Sequence, residues 1–129
     1  MPELPRPSDF ELAILRVLWR LGPATVRQVH GELQADRKLG YTTVLKTMQI
    51  MGEKGLLHRD ESAKSHVYAA AEAEGKTQGS LVRDLLDRAF GGSALALMAQ
   101  ALHAKRPNAA ELDAIQTLLN EARSQRRKR

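Results

Sequence analysis

Apolar residues recur at helical spacing three times in the first fifty-four positions, and each time polar residues mark where the pattern starts or stops. Ser8-Asp9-Phe10-Glu11 is a Ser-x-x-Glu capping box. Leu12, Leu15, Leu18 and Trp19 follow, with Ala13, Ile14 and Val17 filling in, which predicts a helix that Gly22-Pro23 stops. Thr25-Val26-Arg27-Gln28 is a second box, Thr-x-x-Gln, opening a short helix through Val29 and Leu33. A charged loop, QADRK, leads to Gly40. The spacing then predicts a third helix over Tyr41–Lys54, with Val44, Met48 and Met51 on one face and Leu45 flanking it. Thr42, Thr43, Lys46 and Gln49 lie largely off that face. Gly55 suits a left-handed C-terminal cap. Residues 57–60 and 66–70 predict two strands around Glu61-Ser62-Ala63-Lys64-Ser65, a connection long enough to leave the register open.

Past residue 71 the pattern changes. AEAEGKTQGS is small, polar and glycine-containing, and predicts a linker or hinge. Val82, Leu85, Leu86, Ala89 and Phe90 then mark a helix that Gly91-Gly92 ends. Ser93 caps the next, with Leu95, Met98 and Leu102 as its stripe. Asn108-Ala-Ala-Glu111 is a third capping box, and Leu112, Ile115, Leu118, Leu119 and Ala122 line the last helix. Three short helices with one stripe each make too small a core to stand alone. Their stripes need a partner, and a second copy of the chain is the favoured one. The expected dimerisation residues are Leu85, Leu86, Leu95, Met98, Leu102, Ile115 and Leu119. The expected fold is mainly α with a small β-hairpin, divided into residues 1–71 and 72–129.

Composition narrows the chemistry. The chain has 129 residues and no cysteine, which excludes disulfides, thiolate metal sites and a cysteine nucleophile and points to a reducing compartment. The N-terminal residues carry no basic-then-apolar signal pattern, and the longest nearly apolar run, residues 94–102, is too short to span a bilayer. A cytoplasmic protein without membrane insertion is expected. The net charge of +5 suggests nucleic acid, but its distribution weakens that hint. Residues 1–72 hold ten Lys/Arg against nine Asp/Glu, a net of +1; residues 73–129 hold ten against six, a net of +4. Five positive charges sit in the last seven residues, where they also complement a helix dipole.

The order helix, helix, helix, strand, strand fits a helix-turn-helix with a hairpin wing. In that arrangement the second helix of the pair enters the major groove and presents its N-terminal residues to base edges. Thr42 and Thr43 can donate and accept hydrogen bonds, and a threonine methyl can pack on thymine. Lys46, one turn on, can reach a guanine edge or a phosphate. Tyr41 can cap, stack or bond a phosphate. Thr25 and Arg27 flank the amides that open the preceding helix, a natural phosphate cradle. Arg59 and Lys64 would bring the wing to the backbone. A blander reading stands beside this one, since threonines fit helix starts for local reasons and an exposed lysine is ordinarily just solvated. A winged helix can also serve as a protein-interaction module without specific DNA binding.

TTVLKTMQIMGEKGLL, with SDFELAILRVLW before it and HVY after it, resembles the penicillinase-repressor family of transcriptional regulators (BlaI/MecI/CopY type). The carrying residues are Thr43-Val44, Thr47-Met48, Glu53-Lys54-Gly55 and Leu57. The resemblance implies a winged-helix head, a helical dimerisation tail, and repression through a two-fold operator in double-stranded DNA, controlling antibiotic- or stress-response genes. It puts the recognition role on Tyr41, Thr42, Thr43, Lys46 and Thr47. It further implies, for some members, a membrane sensor-protease that cuts the tail. The chain departs from the family pattern in three places. Gln49-Ile50-Met51 stands where relatives often carry an arginine. Gln100-Ala101 occupies the place of the Asn-Phe bond cut in the best-known members. The cysteines of copper-responsive relatives are absent.

Other chemistry finds little support. His30, His58, His66 and His103 share no ligand spacing on one helix; His58 and His66 could approach each other across the hairpin, but solvent-facing strand residues are the favoured reading. No glycine-rich phosphate loop, nucleophile elbow or zinc-protease motif occurs, so no catalytic residue, metal or cofactor is expected.

Overall fold

The first helix, α1 (Asp9–Leu21), starts where its cap predicts. Ser8 Oγ accepts the Glu11 N–H at 3.2 Å, and Glu11 Oε1 accepts the Ser8 N–H at 2.8 Å. The computed structural model describes residues 6–34, 39–62 and 64–128. Most of the QADRK loop, Ala63 of the hairpin turn, the first five residues and Arg129 lie outside that description. The second capping box is also complete. Thr25 Oγ1 accepts the Gln28 N–H, and Gln28 Oε1 accepts the Thr25 N–H, opening α2 (Val26–Leu33).

The third helix, α3 (Tyr41–Lys54), begins at Gly40 without a side-chain cap and ends at Gly55, whose φ of +87° is the left-handed conformation that glycine adopts without penalty. Leu56 N–H bonds back to the Met51 carbonyl at 2.9 Å and turns the chain into the hairpin. Strands β2 (Leu57–Asp60) and β3 (Val67–Ala70) pair antiparallel, with Leu57 opposite Ala70 and Arg59 opposite Tyr68. A third strand, β1 (Ala24–Thr25), pairs with the other edge of β3 and gives the order β1-β3-β2. Two residues carry no periodicity, so β1 exists only through its long-range partner and local pattern cannot announce it. His58 stands opposite Ala69, and His66 precedes β3, so the register does not pair the two histidines.

One core joins these elements. Ile14, Leu15 and Leu18 of α1, Val26, Val29 and Leu33 of α2, and Val44, Met48 and Met51 of α3 are buried together with Leu57 and Tyr68 of the sheet. Glu11 is the buried charge among the described residues, and Lys54 Nζ reaches its Oε2 at 3.0 Å. Burial pushes the Glu11 carboxyl up, but the Ser8 N–H and the Lys54 ammonium outweigh burial and hold it below the usual glutamate range. One side chain thus caps α1 and fastens the last turn of α3. Trp19 donates its indole N–H to the Glu72 carbonyl at 3.0 Å.

The segment expected as a linker is helical instead: α4 (Glu74–Ala89) starts within it. Gly75 and Gly79 each cost about 1 kcal/mol relative to alanine, yet neither needs an unusual backbone conformation. The Ala73 carbonyl accepts the Lys76 and Thr77 amides, and Lys76 pairs with Glu72 one turn back at 3.7 Å. Gly91 and Gly92, with φ of +56° and +82°, end α4 as expected, and Gly92 N–H reaches the Leu86 carbonyl at 2.8 Å. Ser93 caps α5 (Ala94–Ala104) through the Ala96 amide. Asn108 caps α6 (Ala109–Arg127) through the Glu111 amide, but the Glu111 carboxylate makes no return bond among the described residues, so only half of that box forms. The chain divides into two compact units, Met1–Val82 and Arg83–Arg129, with the division inside α4. No helix among the described residues is long and apolar enough to cross a membrane.

Candidate nucleic-acid interface

The burial of α3 is one-sided. Val44, Met48 and Met51 are fully buried, while Thr42, Thr43, Lys46, Gln49, Ile50 and Glu53 face outward. At 100° per residue the buried trio spans a narrow arc, and the exposed residues occupy the opposite side. The helix is therefore anchored from behind and polar in front. Thr42, Thr43 and Lys46 sit together at the front of that outer face. Thr47 does not join them: it is half-buried, and its hydroxyl donates to the Thr43 carbonyl at 2.8 Å.

Tyr41 stands at the corner between α2 and α3. Its ring meets His30 edge-on, with centroids 5.8 Å apart at 86°, and the Arg27 guanidinium carbon lies 5.9 Å from the ring centroid. Such a cation–ring contact adds modest attraction and fixes two long side chains in place. His30 is itself held, its Nε2 lying 2.7 Å from the Leu39 carbonyl, which also accepts from Gln34. Thr25, Arg27, Tyr41 and Lys64 line one groove between the start of α2, the start of α3 and the hairpin, and Ser65 and His66 complete its hairpin wall. The Thr25 hydroxyl is spent on its helix cap. The exposed cationic side chains, Arg27 and Lys64, are the groove's means of attracting an anion.

Arg59 is placed differently. It lines a second groove with Gln49, Glu53, Glu61 and Tyr68, beside the later turns of α3. Its guanidinium pairs with the Glu61 carboxylate, and the neighbouring Tyr68 hydroxyl together with that carboxylate raises its pKa above the ordinary arginine value. It is already engaged and does not stand with Arg27 and Lys64. Asp60 accepts the Ser62 amide at 2.9 Å, and that bond holds its carboxyl below the usual range while shaping the hairpin turn. Among the described residues no group of three His, Cys, Asp or Glu could hold a metal ion.

The profile of the penicillinase-repressor family matches residues 7–121. The chain belongs to this family. Its relatives include the transcriptional regulator BlaI of two Mycobacterium tuberculosis strains, CDC 1551 / Oshkosh and ATCC 25618 / H37Rv. Each is 36% identical over 123 residues, covering 94% of this chain and 88% of the relative. The solution structure of the DNA-binding domain of the repressor BlaI superposes with a TM-score of 0.51 at 24% identity, covering 57% of this chain and 90% of that domain. The last match shows a shared winged-helix fold. The family is one of regulators, so a non-enzymatic role follows from membership.

In this family member the stripes expected to mediate dimerisation lie open in the single chain. Leu85, Leu95, Met98, Leu102 and Leu119 are exposed, Leu86 and Ile115 are half-buried, and none of the three tail helices contains a buried residue. Gln100 and Ala101 lie inside α5. Two residues beside the candidate interface were not among those expected from the sequence. His30 orients Tyr41, a contact between neighbouring helices that local spacing does not reveal. Ile50 faces outward although its residue type suggests the core; the 100° rule applied from Val44 and Met48 finds it.

Proposed function

We propose that the chain is a DNA-binding transcriptional repressor that works in the cytoplasm as a homodimer on a pseudo-palindromic operator. The carrying observation is the outward display of Thr42, Thr43 and Lys46 on a helix whose opposite side is locked in the core. α3 would enter the major groove, with Thr42, Thr43 and Lys46 at base edges. Arg27, Tyr41 and Lys64 would take phosphates at its flank. Thr25 would act through the cap that aims α2, and Thr47 through its bond to the α3 backbone. Arg59 would contribute only after leaving Glu61. The near-neutral balance of the head leaves binding to local placement of cations rather than to an overall field. The exposed tail stripes would pair two copies and set half-site separation. A membrane sensor-protease acting on this tail would meet Gln100-Ala101 in helical backbone and need α5 to open first.

Capture of genomic fragments against random competitor tests this reading. A repressor retains a discrete two-fold site, and its affinity falls steeply with salt as counterions are released. A protein-interaction module retains no site. Lys46→Ala should weaken operator binding by about 1–3 kcal/mol in a fluorescence titration; unchanged affinity removes Lys46 from the interface.

A further inference from the structure

The outer face of α3 carries one aliphatic side chain among polar ones. Ile50 is 48% exposed and stands apart from the hydrophobic cluster behind the helix. It continues a row begun by Thr43 and Lys46, because residues three and four apart are neighbours on a helix surface. From position 43 to position 50 the helix rises roughly 10 Å. That length matches about three base-pair steps of roughly 3.4 Å each. With its axis running along the groove and Thr43 and Lys46 at base edges, such a helix would carry Ile50 toward the next base pairs.

The groove offers such a side chain one good partner. Base edges there present carbonyl and ring-nitrogen acceptors, amino donors and, on thymine alone, a 5-methyl group. Isoleucine can satisfy none of the polar groups. Pressed against a G·C pair it would strip water from donors and acceptors and return no bond. Pressed against thymine it buries hydrocarbon on hydrocarbon.

We infer that Ile50 is a specificity-determining residue that packs on the 5-methyl group of a thymine in each half-site, beyond the base reached by Lys46. The inference rests on α3 entering the major groove. It adds a required A·T pair, with the thymine methyl facing α3, at a defined place in the operator.

The test begins with selection of duplexes from a random pool by the full chain. The enriched duplex is resynthesised with each thymine replaced singly by deoxyuridine, which deletes only the methyl group. Affinities are measured for the native chain, Ile50→Ala and Ile50→Val. At one symmetric position per half-site, uracil should weaken the native chain by about three- to fivefold, the worth of one buried methyl. Ile50→Ala should bind the thymine and uracil versions equally, and Ile50→Val should fall between. Ile50 is outside the core, so both variants should keep the native circular dichroism spectrum. If no thymine is sensitive, or if the sensitivity persists in Ile50→Ala, the inference is overturned while the DNA reading stands. If no duplex is enriched, the DNA reading fails and takes this inference with it.

Discussion

The two units of the chain use their apolar residues in opposite ways. In the first unit, α1, α2, α3 and the sheet close over Ile14, Val29, Val44, Met48, Met51 and Tyr68, each at 1% exposure or less. In the second, Leu95 is 80% exposed and Leu118 64%, and no helix there buries a residue. The first unit buries most of its large apolar side chains internally and shows a mostly polar outer face on α3. The second holds its helices by caps and backbone bonds and leaves its stripes exposed. A stable unit and an unsatisfied one in a single chain is the arrangement expected when one part recognises and the other assembles.

The sharpest way to break this contrast is to hollow the first core. Met48→Ala should cost the head about 2–5 kcal/mol, read as a shift of the urea midpoint. A shift below 1 kcal/mol would mean the head is not stabilised as described. Next comes the tail. Leu95→Asp combined with Leu102→Asp should leave the urea midpoint of the head in place, but convert a dimer to a monomer in sedimentation velocity. DNA affinity should then drop about a hundredfold as the second half-site is lost. A double variant that remains dimeric would show that these stripes are not the assembly surface.

A smaller effect separates the charge inside the head from those around it. Glu11→Gln should lose about 1–3 kcal/mol, since it leaves the Lys54 ammonium without its partner and weakens the α1 cap. The sign of its pH dependence follows from the lowered carboxyl in the folded state. Its stabilisation is present above the unfolded glutamate value and disappears as pH falls through the folded one. Acid titration of stability should therefore be flatter in Glu11→Gln than in the native chain. Smallest is Thr25→Ala, expected to cost about 1 kcal/mol by opening the α2 cap. A thermal melt reads this stability loss, and a DNA titration at low temperature shows whether the cap also aims α2.

Much of the head was legible because its signals are short-range. The Ser8–Glu11 and Thr25–Gln28 boxes are contacts three residues apart, and the α3 face follows from Val44, Met48 and Met51. What escaped was made by distant partners. β1 is strand only because Val67 and Tyr68 lie beside it. Arg59 belongs with Glu61 and Tyr68 because they share one face of the hairpin, a relation that needs the register. Two glycines made residues 71–80 look like a linker, but local bonds around Ala73 and the Glu72–Lys76 pair accompany the helix there. At the candidate interface, residue types on the front of α3 were readable. The corner formed by Arg27, His30 and Tyr41 was not, since it depends on how two helices meet.

Gly55 carries a consequence for how such a protein can diversify. Its left-handed backbone is the junction through which α3 passes the chain to β2, and any β-carbon there meets strain. Mutation can repaint the outer surface of the helix or the tip of the hairpin almost at will. It cannot swing one against the other without altering this joint. New target preferences in this lineage should therefore arise by exchanging side chains on a fixed chassis.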